Sequence, residues 1–272
     1  MRTYARDVAI FYGIVLSLSV AIALFLAPLI GGYALMVVMT TPLVGVLIMK
    51  LLVTREGWRK EGWSDLGLFS LGLSAWPMAI GLTFVVLLFS YGIVWATGIA
   101  GFAVPEGLIA SLPAFGLNVL MALLLSFGEE IGWRGYLLPR LMPLGHRRAL
   151  LLSGLAQAIW HTPFMLFTTL YHGDGNLWLT IPLFLSTLTV AGILFGYLRL
   201  TSGSVWPAAI AHWTFNVYWW LFTAFTINGS ALALEYLAGE TGILSLTAVI
   251  FFAVVLLRRY EAQNRTARPA TA

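Results

Sequence analysis

The chain has 272 residues; 60% are hydrophobic and only 10% charged, with a formal charge of +4 and a mean hydropathy of +0.91. Soluble domains hold roughly 45–50% apolar and about 25% charged residues, so a water-soluble globule is excluded and the chain reads as an all-α polytopic membrane protein. The ten-residue alternation of an outer-membrane barrel is missing. The lack of cysteine removes disulfides, thiolate metal sites and a cysteine nucleophile from consideration.

A helix needs about 20 apolar residues to cross a bilayer. In chain order the candidates are 8–30, 33–53, 75–99, 111–138, 149–170, 177–198, 204–227 and 242–257, about eight spans. Small residues at Ala21 and Ala23 resemble a signal-peptide cleavage site. The apolar run continues to Ile30, however, beyond the about 7–15 residues of a signal core, so it reads as a span. Pro28, Gly31 and Gly32 then demand a tight turn before the second span. Residues 55–70 mix charges with Trp58, Trp63, Leu66 and Phe69, the pattern of an interfacial amphipathic segment. No internal repeat is evident, which disfavours an inverted-repeat transporter.

With eight spans drawn, all 15 basic residues fall on one side. They are Arg2 and Arg6; Lys50, Arg55, Arg59 and Lys60; Arg134, Arg140, Arg147 and Arg148; Arg199; and Arg258, Arg259, Arg265 and Arg268. The opposite connections carry only Glu106, Asp174, Glu235 and Glu240. Positive-inside bias puts both termini in the cytoplasm, and the positive charge sets orientation rather than pointing to nucleic acid. Residues 1–272 read as one transmembrane domain.

Ionisable groups inside spans are costly and mark function by default. Those placed deep are Glu129, Glu130, Arg134, His161 and His212, with Asn118, Gln157 and Asn216 as neutral companions. Glu130 and Arg134 are i and i+4, so they pair on one helix face as a structural ion pair. Glu129 lies about 100° around the helix and is left as the carboxylate free to act as acid or base. His212 and Asn216 are again i and i+4, two donors able to hold an oxyanion. His161 precedes Pro163, which removes a backbone donor and frees a carbonyl near the site. By helix rise, His161, His212 and Glu129 lie about 18, 12 and 16 Å from the basic face. His146 and His172 read as loop residues without a role. A water-filled cavity lined by Glu129, His161, His212 and Asn216, open to the cytoplasm, suits hydrolysis. Glu129, His161 and His212 also match the His₂Glu set of a catalytic zinc site, and sequence does not separate the two.

At these residues the chain resembles the CAAX-protease and bacteriocin-processing (CPBP) family of intramembrane endopeptidases, which includes the type II CAAX prenyl endopeptidases. Its E-E-x-x-x-R motif is Glu129 to Arg134, continued by Gly135-Tyr136-Leu137-Leu138. Its F-x-x-x-H motif ends at His161, with Gln157 where phenylalanine is usual; Gln157 brings a hydrogen-bonding group beside the cavity. Its H-x-x-x-N motif is His212 to Asn216, led by Ser204-Val205-Trp206-Pro207-Ala208. The motif-bearing core is about 112–216. The resemblance implies an eight-helix fold with a cytosolic site, in which Glu129 and His161 activate water and His212 and Asn216 hold the oxyanion. The implied substrate is a membrane-associated protein or peptide, CAAX-type prenylated proteins included. Members have been described both as glutamate-dependent and as metalloproteases, so no cofactor is assigned and zinc stays open. The alternatives are a non-proteolytic chaperone or immunity protein on the same scaffold, and a transporter.

Overall fold

The computed structural model describes residues 2–173 and 175–266. Asp174 and Arg268, placed above in an acidic connection and the basic tail, lie outside the described residues. Eight helical segments form one bundle: α1 (Tyr4–Ile30), α2 (Tyr33–Val53), α3 (Leu73–Ala96), α4 (Ser111–Leu144), α5 (His146–Phe167), α6 (Leu177–Ser202), α7 (Trp206–Ala224) and α8 (Ile243–Gln263). Seven of them, all but α7, are long and apolar enough to cross a membrane among the described residues. α7 has 19 residues, with His212 and Asn216 buried along it. The protein is an all-α polytopic membrane protein.

Local chemistry explains the breaks. Gly31 takes φ +58°, which a glycine adopts at little cost, and α1 turns into α2 there. α3 and α7 lie side by side, joined by Thr83–Thr214 (2.8 Å) and Tyr91–Thr223 (2.7 Å) hydroxyl contacts. Two-residue strands, β1 (Gly101–Phe102) and β2 (Thr226–Ile227), pair antiparallel and tie the segments that follow α3 and α7. α8 runs past residue 257, where the apolar stretch ends. Glu261 near its end accepts from Arg147 Nε (2.5 Å) and lies 3.1 Å from His146 Nε2. His146, expected in a solvated loop, is therefore the first residue of α5 and joins a contact between helices.

The 55–70 segment is not a continuous amphipathic helix. It folds as two 3₁₀ turns, Glu56–Trp58 and Lys60–Leu66, held against the bundle. The fully buried Lys50 lies 2.8 Å from both Glu56 and Asp65, and Arg140 lies 3.0 Å from each. Arg199 adds a bond to the Asp65 carbonyl (2.9 Å). Lys50 and Arg140 are thus matched by Glu56 and Asp65, as a partly desolvated ion cluster requires. Trp58 and Phe69 stay exposed on it.

Candidate functional site

The site begins where α4 changes pitch. Its α-helical part ends at Glu130, and Ile131–Leu137 form a fully buried π-helical turn, a feature frequent at functional sites. Two packing contacts hold it. Phe11 of α1 meets Trp133 edge-on and Tyr136 at 4.9 Å. Gly132 lets Pro42 of α2 approach so closely that an added Cβ would meet its ring at 2.5 Å.

Glu130 and Arg134 pair as expected, with Arg134 Nη1 donating to Glu130 Oε1 at 2.8 Å and both side chains fully buried. The same Glu130 oxygen lies 2.9 Å from His212 Nδ1. A carboxylate only accepts, so His212 donates. The pair read from spacing is thus a triad spanning α4 and α7. The Phe195 ring contacts both donors, stacked on His212 (5.7 Å, 13°) and 5.3 Å from the Arg134 guanidinium.

Glu129 is not wholly free. Its Oε2 accepts from Gln157 Nε2 at 3.1 Å, while Oε1 is buried without a hydrogen-bond partner. Gln157 in turn accepts from Arg134 Nη1 at 2.6 Å. His161 donates from Nδ1 to the Gln157 backbone carbonyl at 2.9 Å, since a carbonyl only accepts. This leaves Nε2 as the lone-pair nitrogen of the neutral ring. The ring stacks on Tyr171 (5.8 Å, 25°). Pro163 lies inside α5 without ending it, and the carbonyl it leaves, that of Ile159, accepts from Thr162 Oγ1 (2.7 Å). Asn216 reaches back to α4, with Nδ2 3.4 Å from Ser126 Oγ.

Glu129, His161, His212 and Asn216 line one cavity of about 370 Å³. Its apolar walls come from Leu35, Met36 and Met39 of α2 and from Met121, Ala122 and Leu125 of α4. Outside the spans it is lined by Gly32, Leu170, Tyr171 and Glu240. All four sit in connections without Lys or Arg.

His172, given no role from sequence, anchors these connections. Its side chain is 3% exposed, with Nδ1 2.9 Å from Glu235 and Nε2 3.2 Å from Glu240. Burial disfavours its charge, but the two carboxylates outweigh burial and raise its pKa to about 9. The Tyr171 hydroxyl also donates to Glu240. His172, Tyr171 and Glu240 thereby lock the α5–α6 and α7–α8 connections together beside His161.

Among the described residues no three of His, Asp and Glu converge closely enough to hold a metal ion. Both histidines bond through Nδ1, His161 to the Gln157 carbonyl and His212 to Glu130.

Residues 111–218 match the family model described as Type II CAAX prenyl endopeptidase Rce1-like. The match spans all three motifs. No curated protein matches the chain.

Proposed function

We propose, from the type II CAAX prenyl endopeptidase Rce1-like match over residues 111–218, that the chain is an intramembrane endopeptidase of the CAAX-protease family in which Glu129 and His161 activate water and His212 and Asn216 hold the oxyanion. One observation carries the reading: three motifs from three helices deliver these four side chains to a single cavity. His161 keeps Nε2 as an acceptor for a water proton. Glu129 has one oxygen without a protein partner and is the second acceptor.

Charge balance defines how the oxyanion side works. Glu129, Glu130, Arg134 and His212 form a buried set of two carboxylates and one guanidinium. Such a set is neutral only with one further proton. That proton belongs either to Glu129 or to His212. On His212 it makes an imidazolium whose Nδ1 faces Glu130 and whose Nε2–H is the oxyanion donor. When Glu129 takes the proton of the attacking water, the set gains a positive charge as the oxyanion gains a negative one.

The substrate is a membrane-associated protein or peptide. The apolar walls of α2 and α4 suit a lipidated or otherwise apolar segment, with CAAX-type prenylated chains as the class the family points to. Positive-inside bias puts the termini and the 55–70 cap in the cytoplasm. The test is peptide release from a prenylated CAAX peptide by the purified protein in liposomes, against Glu129→Gln.

A further inference from the structure

The geometry points to Gln157 as the residue that positions Glu129 for catalysis, an inference that rests on the endopeptidase reading above. Gln157 is buried on α5, one turn before His161. Its side chain crosses to α4 and makes two bonds there, to Arg134 (2.6 Å) and to Glu129 (3.1 Å). The amide has only one workable orientation. A guanidinium offers donors alone, so the amide oxygen must face Arg134 and the amide nitrogen must face Glu129. A flipped amide would set donor against donor and oxygen against carboxylate.

One residue therefore touches both members of the water-activating pair. The Gln157 backbone carbonyl fixes which nitrogen of His161 carries the proton, and its side chain fixes which oxygen of Glu129 is committed. The terminal torsion of a glutamate is broad and roughly two-fold, so without the amide the two oxygens would exchange roles. With it, Oε2 is held and Oε1 alone is left for the reaction. The contact also closes a chain of four hydrogen bonds, Glu129–Gln157–Arg134–Glu130–His212, linking the base to the oxyanion donor through α4, α5 and α7. Phenylalanine, usual at this motif position, can donate no such bond.

Two variants separate this role from simple support of Arg134. Gln157→Met removes both bonds at nearly constant volume. Gln157→Glu keeps an acceptor for Arg134 but sets a carboxylate against Glu129. The probe is an internally quenched farnesylated CAAX peptide in proteoliposomes. Both variants are expected to lose kcat by about 10- to 100-fold, the scale of a misplaced reacting group, with KM within about twofold. Wild-type kcat in Gln157→Glu would overturn the inference, because only the Arg134 contact would then matter. A second readout does not need turnover. The infrared carboxyl band of Glu129, isolated by subtracting the spectrum of Glu129→Gln, should shift in Gln157→Met; an unmoved band refutes the positioning role. If wild type cleaves nothing, the endopeptidase reading fails, and the infrared band still decides the role of Gln157.

Discussion

Glu130 Oε1 receives two donors, Arg134 Nη1 at 2.8 Å and His212 Nδ1 at 2.9 Å, while the adjacent Glu129 bonds to neither of them. The two neighbouring carboxylates therefore do different work. Glu130 binds α4 to α7 and orients a histidine; Glu129 faces the cavity.

Glu129→Gln should abolish turnover and leave the melting temperature in detergent unchanged or higher, because it removes a buried negative charge. Glu130→Gln should cost about 3–5 kcal/mol, as expected when a buried cation loses its partner, and should also lower turnover by releasing His212. Thermal unfolding with parallel kinetics checks both. An equal loss of melting temperature in the two variants would contradict the division of roles.

As oxyanion donors, His212 and Asn216 should be comparable. His212→Ala and Asn216→Ala are each expected to lower kcat by about 10²–10³-fold. A full-rate Asn216→Ala would remove it from the site.

The His172 cluster makes stability sensitive to alkali. Its pKa is about 9 in the folded protein against an ordinary 6.5. A raised folded value means that the stabilisation is complete below about 6.5, falls as pH rises, and is gone above about 9. Melting temperature measured from pH 6 to 10 should decline across that window. His172→Gln should flatten the decline, and an unchanged slope in that variant would show that other groups cause it.

Activity should be insensitive to metal chelators, because among the described residues no three of His, Asp and Glu are placed to hold a metal ion. Stoichiometric metal in active protein, lost in His212→Ala and kept in Asn216→Ala, would contradict the arrangement described.

Orientation can be read on the cysteine-free chain. Single cysteines at Arg147 and at Asn228, both exposed, should react with a membrane-impermeant thiol reagent from opposite sides. Labelling from the same side would break the eight-span topology.

Much of the site was legible because it follows helical spacing. The step from Glu130 to Arg134 and the step from His212 to Asn216 each define one face of one helix. What escaped lies between helices. His212 meets Glu130, 82 positions away, and Gln157 meets Glu129, 28 positions away; both depend on how α4, α5 and α7 are rotated against one another. The π turn leaves no mark on hydrophobic periodicity, since every residue of Ile131–Leu137 is buried. His172 reads as a loop residue without a role because its neighbours are loop-like, while its partners Glu235 and Glu240 are 63 and 68 positions away.

The central claim is that Glu129 is the base of an intramembrane peptidase. Its most direct test compares wild type with Glu129→Gln, reconstituted in liposomes with a farnesylated CAAX peptide and followed by mass spectrometry of the released fragment. Wild type should release the fragment and Glu129→Gln should release none, with both proteins equally folded. Fragment release at the wild-type rate by Glu129→Gln would contradict the account.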